Sequence, residues 1–214
     1  METVKIELKV FFAAVITVLI VEFAMGFVAA GNPSHKLLVL GVARITETGG
    51  IILSVVYFGK GMSAIGMAAP AVGSGIIRGG IWCIGFGMMA ALAGMILYFL
   101  KMDPIALVSS KLPEKIHELF LIFLVGGVIG PVAEEVFFRG ICYGFFRRWG
   151  ITLAVVLTTA VFVLAHSIKS AVPLPQIIGG IVFALAYEKE KNLMVPITIH
   201  VLGNLAIFTL SVSV

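Results

Sequence analysis

Apolar residues in this chain run in long blocks rather than in alternation. Stretches near 8–30, 37–58, 79–100, 118–146, 151–168, 176–188 and 193–213 are almost free of charge. A membrane-spanning helix needs about 20 such residues, so the pattern predicts an all-α, polytopic transmembrane bundle of about seven spans. Between the third and fourth blocks, Asp103-Pro104 is a helix start, an N-cap followed by proline at the first helical position. It predicts an interfacial helix near 101–117, limited by Pro113. Segment 59–78 carries Gly59, Gly61, Gly66, Gly73 and Gly75 and reads either as a loop or as a short re-entrant piece. With no internal repeat, residues 1–214 read as a single integral membrane domain whose motif-bearing core covers about 118–213.

Composition agrees with the pattern. The chain is 60% hydrophobic and 12% charged, with a mean hydropathy of +1.15; soluble domains average about 45–50% apolar and about 25% charged. The run from Leu8 to Ala30 is longer than the roughly 7–15 apolar residues of a cleaved leader, and Glu2 and Glu7 balance Lys5 and Lys9. It is read as a retained first span. The net charge of +4 is scattered, which suits loops touching anionic headgroups and leaves no basic block for nucleic acid. Counted along alternating loops, Lys5, Lys9, Lys60, Arg78, Arg147, Arg148, Lys189 and Lys191 fall on one side. Lys36, Lys101, Lys111, Lys115 and Lys169 fall on the other. The asymmetry places the N-terminus in the cytoplasm. Cys83 and Cys142 lie in spans with no zinc spacing and read as small packing residues; Gly126-Gly127-Val-Ile-Gly130 and Gly140-Ile-Cys-Tyr-Gly144 read as close-packing stripes.

Three polar clusters stand out because ionisable groups at membrane depth each cost about 2.5–3.5 kcal/mol on insertion scales. They are Glu134-Glu135-Val-Phe-Phe-Arg139, Phe162-Val-Leu-Ala-His166 and His200-Val-Leu-Gly-Asn204. On a helix Glu135 and Arg139 share a face and can neutralise each other, while Glu134 points elsewhere, toward an interhelical cavity. Pro131 removes a backbone bond to the carbonyl of Gly127 in the α register, and such breaks are tolerated beside protein or water. His200 and Asn204, four apart, can aim two donors at one point, as an oxyanion site requires. His166 can hold a water against Glu134, the candidate general base.

In this order, on successive hydrophobic helices, Glu-Glu-x-x-x-Arg, Phe-x-x-x-His and His-x-x-x-Asn resemble the CAAX prenyl endopeptidase and bacteriocin-processing (CPBP, or ABI) family of glutamate-type intramembrane proteases. The resemblance covers roughly Phe120 to Leu210, with all three motifs complete. It implies a hydrolase in which Glu134 and His166 activate water, His200 and Asn204 stabilise the oxyanion, and Glu135, Arg139 and Phe162 support them. The compact chain is unlike the eukaryotic members and points to a bacterial or archaeal branch, in the cytoplasmic membrane. The implied partner is a membrane-associated peptide or protein substrate, prenylated or not, in addition to the lipid bilayer.

Other readings remain. Glu134, His166 and His200 can in principle bind zinc with one open position, but no helix carries His-Glu-x-x-His and Asn204 is a poor ligand, so no metal and no cofactor are expected. The same fold can serve as a non-catalytic bacteriocin immunity or membrane-binding protein. A proton-coupled carrier also uses intramembrane Glu and His, but the absence of repeats disfavours it. Glu22, Arg44 and Glu47 read as a structural ion network, Arg147-Arg148 as a headgroup anchor, and Glu188-Lys-Glu-Lys191 as a solvated loop.

Overall fold

The computed structural model describes residues 6–166 and 174–213. Seven long helices make up most of them: α1 (Leu8–Gly31), α2 (Lys36–Phe58), α3 (Val72–Phe99), α4 (Ile116–Trp149), α5 (Ile151–Ala165), α6 (Leu174–Glu190) and α7 (Met194–Val212). No strand occurs among the described residues. Helices α1, α2, α3, α4 and α7 are long and apolar enough to cross a bilayer. Helices α5 and α6 have 15 and 17 residues, about 22 and 26 Å at 1.5 Å per residue, less than the ~30 Å hydrocarbon core. The apolar side chains point outward as lipid-facing ones do: α1 buries only Val10 and Ala14, and Phe23 and Phe99 are more than 70% exposed. The molecule is an integral, multi-pass membrane protein.

Helix α1 packs on α2, α3 on α7, α5 on α6, and α4 runs between α2 and α7. Glycines set the closest approaches. A Cβ on Gly127 would stand 2.7 Å from Leu205, and one on Gly144 would stand 2.7 Å from Ile6. The two glycine stripes of α4 are therefore used within the chain, as small residues are at membrane helix contacts. A core of Val10, Ile51, Val55, Val136, Ile141, Tyr143 and Leu193 joins α1, α2 and α4 to the start of α7.

Helix α4 is not one regular helix. Short α segments alternate with π turns at Val125–Ile129 and Val136–Tyr143. The N–H of Gly130 reaches the carbonyl of Val125, five residues back. In that register proline's missing donor falls on Gly126, not on Gly127 as α spacing predicts. The amide Nδ2 of Asn204 on α7 donates to the Gly126 carbonyl at 2.9 Å and supplies the lost bond. π turns of this kind concentrate at functional sites.

Several expectations are corrected. Residues 101–117 form no interfacial helix before α4 begins at Ile116. Asp103 Oδ1 does accept the N–H groups of Ile105 and Ala106, at 2.9 and 3.2 Å, but the turn ends at Ser109, and the N–H of Ser110 goes instead to the Ser211 hydroxyl. Segment 59–71 is a folded loop of two 3₁₀ turns, and α3 starts at Val72, seven residues before the expected boundary. Leu193 donates to the Gly66 carbonyl at 2.9 Å and Asn192 Nδ2 to that of Ala71 at 2.7 Å, tying the loop to the α6–α7 turn. Glu188 and Glu190 lie on α6, not in a solvated loop. Glu188 accepts from Tyr143 at 2.8 Å and from two nitrogens of Arg147 at 3.0 Å. Arg148 donates to the Ile6 carbonyl at 2.7 Å with its guanidinium 3.8 Å from the Phe145 ring centroid. Both arginines thus bind protein, because unpaired acceptors lie within reach at this end. Residues 167–168 of the fifth expected span, and Lys5 and Lys169 of the charge count, lie outside the described residues.

Gly66 has φ +70°, and a Cβ there would stand 2.8 Å from the Lys191 carbonyl. Gly66→Ala should destabilise the purified protein by about 1–3 kcal/mol, measured by unfolding in detergent. Gly26→Ala, where nothing lies within 4 Å, should not.

Candidate active site

The central group is the Glu135 carboxylate, fully buried on α4. Its Oε1 accepts from Arg139 Nη1 at 2.9 Å and from His200 Nδ1 at 2.8 Å. One oxygen thus joins a guanidinium four residues along its own helix to an imidazole on α7. Arg139, also fully buried, donates from Nη2 to the Gly180 carbonyl on α6 at 3.3 Å. Its guanidinium lies 4.7 Å from the ring centroid of Phe162 on α5 and 5.1 Å from that of Phe183 on α6. The arginine therefore joins α4, α5 and α6, and its charge meets a carboxylate and two ring faces in place of water.

This support fixes the two histidines. Only an N–H can face an acceptor oxygen, so His200 Nδ1 carries the proton it gives Glu135, and Nε2 is left facing Glu134 at 3.8 Å. The His200 ring stacks on Phe183 with centroids 4.6 Å apart. His166 caps the C-terminal end of α5. Its Nδ1 faces the Phe162 carbonyl at 2.8 Å, and its Nε2 lies 3.4 Å from Glu134 Oε2. Both imidazoles thus present the same ring atom to one carboxylate oxygen. That oxygen is buried and accepts no hydrogen bond from the described protein groups. The separations exceed the 2.7–2.9 Å of a tight charge-assisted bond.

Glu134, His166 and His200, from α4, α5 and α7, converge around one point. Asn204 lies one turn beyond His200. One hydrogen of its amide is committed to Gly126, and the second remains available, since the group carries two donors. Phe162 lies beneath His166, ring centroids 4.4 Å apart. Among the described residues, no three His, Cys, Asp or Glu side chains have the arrangement of a metal cluster.

Three features went unread in the sequence: the Glu135–His200 bond, the Phe183 stack and the Gly180 carbonyl. Phe183 and Gly180 lie with Ala184 and Tyr187 on one buried stripe of α6, a spacing that marks the inward face. The Glu135–His200 bond had no local signal, because it joins residues 65 apart. On the first two helices, Arg44 bonds to Glu47 and, at 2.7 Å, to Glu22. This is the ion network expected from their spacing.

Residues 116–206 match the family model described as "Type II CAAX prenyl endopeptidase Rce1-like". A Staphylococcus aureus protein named "Membrane-embedded CAAX protease MroQ" is 31% identical over 110 residues, 48% of this chain and 41% of that protein. A Bacillus subtilis protein named "Putative membrane peptidase YdiL" is 27% identical over 92 residues, 42% of this chain and 37% of that protein. The chain thus spans about two fifths of the length of these curated relatives. No solved structure matches it significantly.

Removing Arg139 leaves Glu135 as an uncompensated buried charge, a loss of roughly 3–5 kcal/mol for such pairs. Arg139→Met alone should sharply lower the thermal midpoint in detergent. Adding Glu135→Gln to it should restore part of the loss, and two independent, additive losses would contradict the shared-carboxylate arrangement.

Proposed function

We propose that this chain, whose residues 116–206 match the CAAX prenyl endopeptidase model and align with membrane peptidases, is an intramembrane endopeptidase of that family. It hydrolyses a peptide bond of a membrane-associated protein or peptide without a metal. The single observation that carries this reading is the Glu134 oxygen without a hydrogen-bond partner, faced by two imidazole nitrogens at 3.4 and 3.8 Å.

Glu134 is the general base. Water held between its carboxylate and His166 Nε2 loses a proton to Glu134 as its oxygen attacks the scissile carbonyl. The carbonyl π electrons move onto oxygen, and the tetrahedral oxyanion forms beside α7. There the uncommitted N–H of Asn204 donates to it. His200, held at Nδ1 by Glu135, turns Nε2 toward the same point and donates there when both ring nitrogens carry hydrogen. Collapse breaks the C–N bond, and the proton on Glu134 passes to the leaving amine. Glu135, Arg139 and Phe162 take no part in bond making. They fix the tautomer and direction of His200 and the seat of His166, the kind of preorganisation that sets rate.

Zinc is the competing reading on one observation alone, the Glu135 carboxylate that orients the far nitrogen of His200, which is also the support given to metal ligands. The two readings separate cleanly. Cells carrying the wild-type protein should produce new termini in the membrane proteome by mass spectrometry, and cells with Glu134→Gln should not, although the variant accumulates normally. With a cleaved peptide so identified, purified activity should persist in 1,10-phenanthroline. Loss there, with recovery on added zinc, would replace the metal-independent mechanism. Asn204→Ala should reduce the rate on the order of 10²–10³, as lost oxyanion donors do.

If the protein is instead a non-catalytic immunity or binding protein, no Glu134-dependent termini appear and its protective effect survives Glu134→Gln.

A further inference from the structure

Away from the Glu–His cluster, α3 and α6 both pack beside α7 and leave a cleft of about 450 Å³ between them. Its two ends differ in chemistry. One carries Arg78, Lys189 and Glu190; the rest is lined by Ile81, Gly85, Phe86 and Met89 of α3 with Val182 of α6. At the polar end Glu190 accepts from Arg78 Nη1 at 3.0 Å and from Trp82 Nε1 at 3.1 Å. Both its oxygens are engaged, and Arg78 keeps further N–H donors on a side chain that is 55% exposed. The Lys189 ammonium lies 5.5 Å from the Trp82 ring centroid. Two cations against one carboxylate leave this end net positive.

The depth of the cleft matches one leaflet. Arg78 to Met89 advances about 16 Å at 1.5 Å per residue, half of the ~30 Å hydrocarbon core. Arg78 to Phe99 advances about 32 Å, so Arg78 stands at one interface when the Tyr98-Phe99 pair stands at the other, where aromatic residues concentrate. The same end of the bundle holds Lys9, Lys60, Arg147, Arg148 and Lys191, the bias of a cytoplasmic face, whose leaflet is rich in anionic lipid. Gly85 lies midway along the floor, and a Cβ there would meet nothing within 4 Å.

We infer that this cleft is a binding site for one anionic glycerophospholipid. Its phosphate is held by Arg78 and Lys189 over the Trp82 indole, and an acyl chain lies along Ile81, Gly85 and Met89. Nothing in this assignment depends on the proposed hydrolysis.

Trp82 is one of two tryptophans, so Trp149→Phe makes it the sole indole reporter. The full chain in mixed micelles is titrated with brominated phosphatidylglycerol or brominated phosphatidylcholine, and quenching of Trp82 fluorescence is followed. The anionic lipid should quench at about fivefold lower mole fraction, the size of effect one basic residue has near anionic lipid. Lys189→Gln should reduce that preference while leaving quenching by the zwitterionic lipid unchanged, and Gly85→Leu, which fills the cleft, should abolish it. Unbrominated phosphatidylglycerol should reverse the quenching and glycerol 3-phosphate should not. Equal quenching by the two lipids, a preference undiminished by either substitution, or reversal by glycerol 3-phosphate would each overturn the assignment. If Trp149→Phe does not fold, native mass spectrometry of the parent chain and of Gly85→Leu decides. The parent should retain one phosphatidylglycerol in preference to phosphatidylcholine, and equal retention of the two, or no effect of Gly85→Leu, would contradict the site.

Discussion

Everything in the motif-bearing half of this protein hangs on one shared oxygen. Glu135 Oε1 binds a guanidinium from its own helix and an imidazole from α7, in a place where water cannot stand in for either. An isolated carboxylate there would be strongly penalised, and the two cationic or donor groups offset that cost together rather than singly. Because Arg139 also reaches the Gly180 carbonyl and lies against Phe162 and Phe183, four helices meet on this pair. Removing either charge disturbs the alignment of α4 with α7, and with it the direction of His200.

The arrangement divides the labour of two adjacent glutamates. Glu135 is held through Oε1 by Arg139 and His200, its Oε2 having no partner among the described residues, while neither imidazole closes a bond to Glu134, whose buried Oε2 stands open toward two ring nitrogens. A helix of uniform α geometry would turn the pair to fixed, unrelated directions. Here π turns lie on both sides of the glutamates. Proline at 131 prevents the backbone from repairing the first, so a side chain must do so. Asn204 supplies that bond, and the local defect in α4 thereby becomes a fixed contact with α7. The same asparagine is held beside the point where the proposed oxyanion forms.

Much of this was legible in the chain because membrane depth makes polar residues informative. The long apolar blocks gave the positions of all seven helices, and the costly residues within three of them marked Glu134, Glu135, Arg139, His166, His200 and Asn204. Their spacing also implied that Glu135 and Arg139 pair. What spacing could not carry was register. Counting 1.5 Å per residue puts Glu134 about 20 Å and His200 about 10 Å from the Arg147 side, yet their side chains lie 3.8 Å apart. The π stretch Val136–Tyr143 lies between Glu134 and Arg147, and turns closed by five-residue hydrogen bonds advance less per residue than α turns, which removes part of that difference. The terminal charges were misread for a related reason. Glu188 sits on α6 and its partners Tyr143 and Arg147 on α4, and a cluster that assembles only in the fold leaves no local pattern. Asp103-Pro104 shows the converse: a good local start signal yielded one turn, since Ser110 found its partner on α7.

The claim that the uncommitted carboxylate of Glu134 activates water, rather than attacking the substrate itself, can be tested by isotope. A single turnover of the purified protein on its cleaved peptide is run in H₂¹⁸O, and both the product and the enzyme segment containing Glu134 are weighed by mass spectrometry. The account predicts one ¹⁸O in the new C-terminal carboxylate and none in the Glu134 segment. Isotope in the Glu134 side chain would show a covalent acyl route and contradict it.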